Sequence, residues 1–230
     1  MIIKIPDVLS NEQILQIRKK LETANWVDGK ETAGHQSVKV KNNLQLGISD
    51  PLTQEIGMEI MQILEKNPVF MSSALPFKVS PPLFNKYQNG GHYGTHIDSA
   101  VRQIGNTPHR LRTDLSATLF LSNPEEYEGG ELIIEDSFGT FEVKLPAGHL
   151  VLYESGSQHS VAPVTSGARI ASFMWVQSMV RSSQNRSILT ELDLSIQNLT
   201  NQNADQQTNQ QTITQLTGVY HNLIRLWSEV

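Results

Sequence analysis

Residues 168–179 read ARIASFMWVQSM. Successive side chains alternate with a period of two, the period of a β-strand. Ile170, Ser172, Met174 and Val176 take one face, and Arg169, Ala171, Phe173 and Trp175 the other. An arginine that shares a strand face with two aromatics is not placed as a surface arginine usually is. Outward from this segment the same short-strand texture recurs. FKVSPPLFNKY (77–87), DLSATLFLS (114–122), GELIIED (130–136), GTFEVKLP (139–146) and HLVLYE (149–154) are separated by NGG, NPEEYEGG, SFG, PAG and TSG. Regular short strands with turn punctuation predict a sandwich or barrel rather than a βαβ fold.

The flanks read as helix. Ser10 and Gln13 have the spacing of a capping box, followed by Ile14, Ile17 and Leu21 at helical intervals. Asp50-Pro51 predicts a second helix start, with Ile56, Ile60, Ile63 and Leu64 on one face and Pro68 just after its end. Beyond Met179, Ile188, Leu192, Ile196 and Leu199 form one apolar stripe, and Ile213, Leu216, Tyr220, Leu223 and Trp227 form another. The Asn/Gln-rich stretch 195–215 between and within them reads as a polar loop or solvated helical segment. This divides the chain into an amino-terminal helical support region (1–77), a β core (78–178) and a helical appendage (179–230).

Composition narrows the function. The chain of 230 residues has 38% hydrophobic and 18% charged residues, which suits a folded domain. Its net charge of −5 lacks the basic footprint that a nucleic acid or an anionic membrane demands. No run approaches the ~20 apolar residues of a membrane span, and MIIKIPDVLSNEQ is too soon polar for a signal peptide. A soluble cytoplasmic protein without nucleic-acid or membrane partners is expected. There is no cysteine, so a metal would have to be held by His, Asp or Glu.

Seven histidines are available: His35, His92, His96, His109, His149, His159 and His221. His96 and Asp98 close the Gly-rich run YQNGGHYGTHID, and in extended backbone they point the same way. His159 lies much later, beside HLVLYE, and Arg169 follows ten residues after it. Two neutral imidazoles and a carboxylate on one face would leave three positions open on an octahedral Fe(II), enough for a bidentate 2-oxo acid and O2. An arginine deeper in a barrel would suit the far carboxylate of 2-oxoglutarate. H-x-D alone reads more readily as a surface histidine beside a turn aspartate; His159 and Arg169 bring the metal reading level with it.

The stretches FNKYQNGGHYGTHIDSA (84–100), RTDLSATLFLSNPEEYEGGELIIED (112–136) and VKLPAGHLVLYESGSQHSVAPVTSGARIASFMWVQSMVR (143–181), with the helical tail, resemble the bacterial PKHD-type hydroxylases. These are a branch of the prolyl-4-hydroxylase-like 2-oxoglutarate/Fe(II) dioxygenases. The resemblance runs essentially end to end. It implies an α+β, mainly β fold: a double-stranded β-helix (jelly-roll) with amino-terminal supporting helices and a carboxy-terminal helical appendage. It implies Fe(2+) held by His96, Asp98 and His159, with 2-oxoglutarate salt-bridged to Arg169. O2 would be the second cosubstrate and L-ascorbate a supporting reductant. A small-molecule or peptidyl C–H would be hydroxylated, with release of succinate and CO2.

Departures from the family pattern are local. Where related prolyl hydroxylases place a tyrosine on the strand after H-x-D, this chain has Phe120. Thr118, two residues earlier on the same face, and Tyr87, before the motif, are substitute contacts for the cosubstrate. His149 stands where an acidic residue is expected and reads as a turn residue. His92 and Tyr93 are candidates for the mouth of the site. Arg102, His109, Arg110 and Arg112 could meet an acidic substrate but read first as a solvated loop. Glu125, Glu126 and Glu128 form an acidic turn explained by solubility. The Trp227 helix suits core packing or a homodimer seam.

Three rivals remain open at this stage. A cupin-like isomerase or lyase would use the metal without O2. A jelly-roll binding module would hold a ligand without turnover. Arg169 counts against both, since neither needs a cation deep beside the metal. A nucleic-acid demethylase of the same superfamily would carry a second arginine six residues after the first, where this chain has Trp175.

Overall fold

The computed structural model describes residues 1–32, 37–104, 107–136, 139–202 and 207–230. Ser10 caps helix α1 (Asn11–Glu22): its hydroxyl accepts from the Gln13 backbone, and the Gln13 side chain accepts from the Ser10 N–H. Asp50 caps α2 (Pro51–Leu64), with the proline in the first turn where no N–H is needed. Pro68 does more than follow that helix. Asn67 caps a third helix, α3 (Pro68–Ala74), so the proline that reads as a stop is also a start. The tail forms α4 (Ser183–Gln202) and α5 (Gln207–Trp227), so the Asn/Gln-rich residues on both sides of 203–206 are helical.

The strands before the jelly-roll motifs are β1 (Ile2–Ile5), β2 (Trp26–Asp28), β3 (Lys41–Asn42), β4 (Leu44–Leu46) and β5 (Pro76–Val79). Next come β6 (Leu83–Gln88), β7 (Gly91–His96), β8 (Val101–Gln103), β9 (Arg110–Arg112) and β10 (Leu115–Phe120). The remainder are β11 (Tyr127–Gly129), β12 (Leu132–Asp136), β13 (Gly139–Val143), β14 (Leu150–Glu154) and β15 (Gln158–Ser178). The amino-terminal region therefore supplies strands as well as helices. β1 forms one end of the major sheet, in the order β1-β14-β10-β15-β6-β4-β2. Its four residues, IIKI, carry too short a pattern to announce a strand, and its partner lies far along the chain.

β15 is one strand where the sequence showed two features. Its first half pairs with β12 and β7, and its second half with β10 and β6. Register shifts between His159 and Val164 bend it, and a bulged, bent strand is how a sheet rolls over itself. Gly167, at φ +69°, sits between the two halves, where a Cβ would run into the Glu126 carbonyl. The result is the jelly-roll expected from the sequence.

The two faces of residues 168–179 do what their alternation foretold. Met174 and Val176 join Leu115, Leu119, Leu150 and Leu152 in a core packed on Ile17, Leu21, Ile56, Ile60 and Phe70 of the helices. The opposite face turns into the roll, where Tyr87, Phe120, Val151, Tyr153, Leu132 and Ile134 form a second core. A third, smaller cluster of Leu75, Val180, Leu189 and Tyr220 seats α4 and α5, with Trp227 packed against it. No helix among the described residues is long and apolar enough to cross a membrane.

Candidate active site

His96 ends β7 and His159 begins β15, and in the antiparallel ladder between these strands the two are directly paired. Their ring centroids lie 4.2 Å apart. Asp98, two residues beyond His96, brings its Oδ2 to 3.7 Å from His159 Nε2. One ligand atom from each of the three lies within 4.8 Å of the others. The long sequence separation between H-x-D and His159 is thus closed by a single strand pairing.

Each ring is oriented from behind. His96 Nδ1 donates to the Gly94 carbonyl at 2.9 Å, and His159 Nδ1 to the Ser157 carbonyl at 3.0 Å. With the proton on Nδ1, the Nε2 lone pair of each ring is free for a metal. Burial, and then the facing His159, hold the His96 imidazole well below its ordinary pKa, against the opposing pull of the Gly94 carbonyl and Asp98. It is therefore neutral, as a ligand must be. Asp98 Oδ2 accepts a 2.6 Å bond from Ser116, whose hydroxyl lies 2.7 Å from that of Ser155. Two imidazole nitrogen donors, one carboxylate oxygen and a supporting shell fit a divalent iron with open positions.

Arg169 lies in the same cavity as the three ligands, only 1% exposed. Its guanidinium stands 5.1 Å from the Phe120 ring and 5.4 Å from Tyr87, its partner across the β15–β6 ladder. Its Nε and Nη1 atoms are buried without a hydrogen-bond partner. A buried, unsatisfied fork is costly unless an anion completes it, and 2-oxoglutarate is such an anion. Gly130 (φ +70°) leaves room for the arginine side chain: an added Cβ would come within 3.1 Å of Arg169 Cδ.

Tyr87 and Thr118 both line this cavity. Burial raises the Tyr87 phenol to about 12, opposed by the Arg169 charge, so it stays protonated and can donate. Phe120 sits on the interior face but offers only its ring. Tyr153, which the sequence reading did not single out, is also in the cavity, edge-on to His159 at 5.2 Å. Burial, reinforced by Asp98 and opposed by the Thr118 hydroxyl, raises its phenol well above the ordinary value. Alternation along HLVLYE places Val151 and Tyr153 on one face and was the available signal.

The remaining candidates separate. Tyr93 lines the cavity and stacks on His96 at 3.6 Å, whereas His92 does not line it and turns its Nδ1 to the Gly90 carbonyl. His149 lies 3.5 Å from Asp7, away from the site. His35 falls outside the described residues. The supposed loop 101–114 contains the β8–β9 ribbon, because Val101 to Gln103 pair with Arg110 to Arg112. Arg102 of that ribbon lines the cavity, while Arg112 is spent on Asp114. Lys41, on the two-residue strand β3, also lines it and left no local mark in the sequence.

Comparison with known proteins agrees with this geometry. The 2OG-Fe(II) oxygenase superfamily model matches residues 82–177, and the PKHD-type hydroxylase C-terminal domain matches residues 184–229. The chain is 53% identical over 229 residues to a PKHD-type hydroxylase of Saccharophagus degradans, covering 100% of both chains. It is 54% identical over 230 residues to one of Pseudomonas aeruginosa, again covering 100% of both.

The chain belongs to the PKHD-type hydroxylase family.

A PKHD-type hydroxylase is a 2-oxoglutarate-dependent hydroxylase, and its superfamily implies Fe(2+) and 2-oxoglutarate. The family's own carboxy-terminal domain corresponds to α4 and α5. The cupin-like and ligand-holding alternatives give way to this assignment. Solved structures support the fold. The carbocyclase SnoK from nogalamycin biosynthesis superposes with a TM-score of 0.55 at 15% identity, over 78% of this chain and 80% of its own. A Pseudomonas putida prolyl-4-hydroxylase gives 0.51 at 18%, over 77% and 92%.

Proposed function

We propose that this PKHD-type hydroxylase holds Fe(II) on His96, Asp98 and His159 and takes 2-oxoglutarate with its far carboxylate on Arg169. Tyr87 and Thr118, joined by Tyr153, are placed to hydrogen-bond that cosubstrate. The observation that carries this reading is the direct pairing of His96 with His159 in a cavity that also holds an unsatisfied, buried arginine.

When bound, the iron supplies O2 activation: one oxygen atom enters succinate as CO2 leaves 2-oxoglutarate, and the other enters a substrate C–H as hydroxyl. The protein's residues do the rest. The Gly94 and Ser157 carbonyls keep both imidazoles in the ligating tautomer. Ser116 fixes the Asp98 carboxylate. Arg169 sets the direction of the cosubstrate, and the apolar walls Leu132, Val161 and Phe173 keep water from the reacting C–H. L-ascorbate would restore ferrous iron after unproductive turnovers. The substrate is a small molecule or a peptide, the setting cytoplasmic, and a homodimer through the carboxy-terminal helices is compatible with their exposed Leu194, Val219 and Leu226.

The test is succinate formation from 2-oxoglutarate, dependent on Fe(II) and O2. His96→Ala should abolish it, and Arg169→Ala should raise the 2-oxoglutarate requirement steeply. Screening metabolite and peptide pools for a product heavier by one oxygen atom would name the substrate. Iron-independent succinate release, or none with any pool, would overturn the reading.

A further inference from the structure

Two cations flank the triad on its open side, and cosubstrate binding uses neither. Arg102 lies over the Trp175 ring, its guanidinium carbon 3.8 Å from the centroid. Trp175 is paired across β15–β10 with Ser116, the residue that holds Asp98. Arg102 thus stands on the Asp98 side of the triad. Among the described residues no carboxylate lies within ion-pair distance of it; Arg112, on the same ribbon, has Asp114. Lys41 approaches from the other side. It is paired with Tyr93 across β3–β7, its Nζ lies 5.4 Å from the Tyr93 ring, and Tyr93 stacks on His96. Lys41 is only 5% exposed.

Burying the Arg102 guanidinium beside a second cation is unfavourable unless an anion reaches it. Burial first, and then the Arg102 charge, against the opposing pull of Asp28, lower the Lys41 ammonium to about 8. The far carboxylate of 2-oxoglutarate is not that anion. Arg169 and Trp175 are six residues apart on β15, or roughly 20 Å along an extended strand. The cosubstrate cannot reach both.

We infer that the substrate is a carboxylate-bearing small molecule, its carboxylate received by the Arg102 fork with Lys41 beside it. This rests on the reading of the triad and Arg169 given above and adds the substrate's chemical class. Stacking on Trp175 holds the guanidinium plane rigid, which favours a planar, bidentate partner. The apolar lining from Ile97 and Phe173 would take the body of the molecule, leaving a C–H near the iron.

The probe is a panel of N-acetyl amino acids with aliphatic and aromatic side chains, each matched with its carboxamide. They are titrated into anaerobic protein carrying Fe(II) and saturating 2-oxoglutarate, which keeps Arg169 occupied. Tryptophan fluorescence reports binding, since Trp175 lies under Arg102. The best acids should bind about 10- to 100-fold tighter than their amides, as expected for one charge-assisted pair. Arg102→Gln should remove that preference, and Arg102→Lys should restore part of it.

Equal binding of acids and amides by the unaltered protein, or no binding of any acid, would overturn the inference, as would a preference that survives in R102Q. The wild-type comparison needs no variant to fold. The iron and 2-oxoglutarate reading is scored separately, by the visible charge-transfer band of their chelate. Loss of that band with the acid preference intact would sink that reading alone.

Discussion

Arg186 of α4 donates to Glu154 Oε2 at 2.6 Å, and so the carboxy-terminal helical pair is tied to β14 between Tyr153 and Ser155. The arginine is 1% exposed and also donates to the Val180 and Arg181 carbonyls at 2.8 Å. The family's carboxy-terminal domain is thereby a brace for a strand that reaches the active site.

Removing Arg186 leaves Glu154, itself partly exposed, with the Met1 ammonium at 4.0 Å as its remaining ion-pair partner among the described residues, so the loss falls short of that for a fully buried pair. Arg186→Ala should cost about 1–3 kcal/mol, read from the urea midpoint. Because Ser155 backs Ser116, iron retention should also fall. A variant as stable as wild type would show that the brace carries no weight.

Ser116 is the only side chain among the described residues that hydrogen-bonds Asp98. Outer-shell partners of ligands typically contribute about 10- to 100-fold in metal affinity. Ser116→Ala should lose that much Fe(II) affinity in a chelator competition, and Ser155→Ala less, since it acts through Ser116. Equal affinities in all three proteins would mean Asp98 needs no support.

Arg169→Met should move stability and binding in opposite directions. Replacing a buried fork that lacks full partners by an apolar side chain should stabilise the ligand-free protein by about 1–4 kcal/mol. The same change should weaken 2-oxoglutarate binding about 100-fold or more, since truncating one partner of a buried charge pair costs a complex about 2–5 kcal/mol. Thermal melts with and without 2-oxoglutarate report both. A variant that still gains stability from the cosubstrate would remove Arg169 from its assigned role.

The metal-free protein should lose stability on acidification. His96 is held below the ordinary imidazole value, about 6.5 in the unfolded chain. As pH falls below that value the unfolded chain takes up a proton that the folded site resists. Stability is therefore fully present above about pH 6.5 and declines toward the lower folded value. The urea midpoint of the metal-free wild type should fall more steeply than that of His96→Leu as pH drops. If the two profiles stay parallel, His96 does not report the difference.

Much of this was legible because the signals are local. The Ser10–Gln13 capping box, the Asp50-Pro51 start and the alternation of residues 168–179 each act within one turn or one strand. Their physics is complete in a few residues, so composition and spacing determined the starts of α1 and α2, the two-faced strand and the common direction of His96 and Asp98. Pro68 was ambiguous for the same reason: one proline ends one helix and opens the next.

What only the tertiary structure decided depends on pairings between distant segments. That His159 faces His96 is a matter of β7–β15 register, and a slip of one residue would turn a ring to the opposite face. Lys41 comes from a two-residue strand, Arg102 from a short ribbon and Tyr153 from a strand in which the sequence singled out no site residue. All three reach the cavity because the sheet rolls at the bends of β15. Local sequence sets which face a side chain takes along its own strand; the rolled sheet, held by two cores, sets which faces meet.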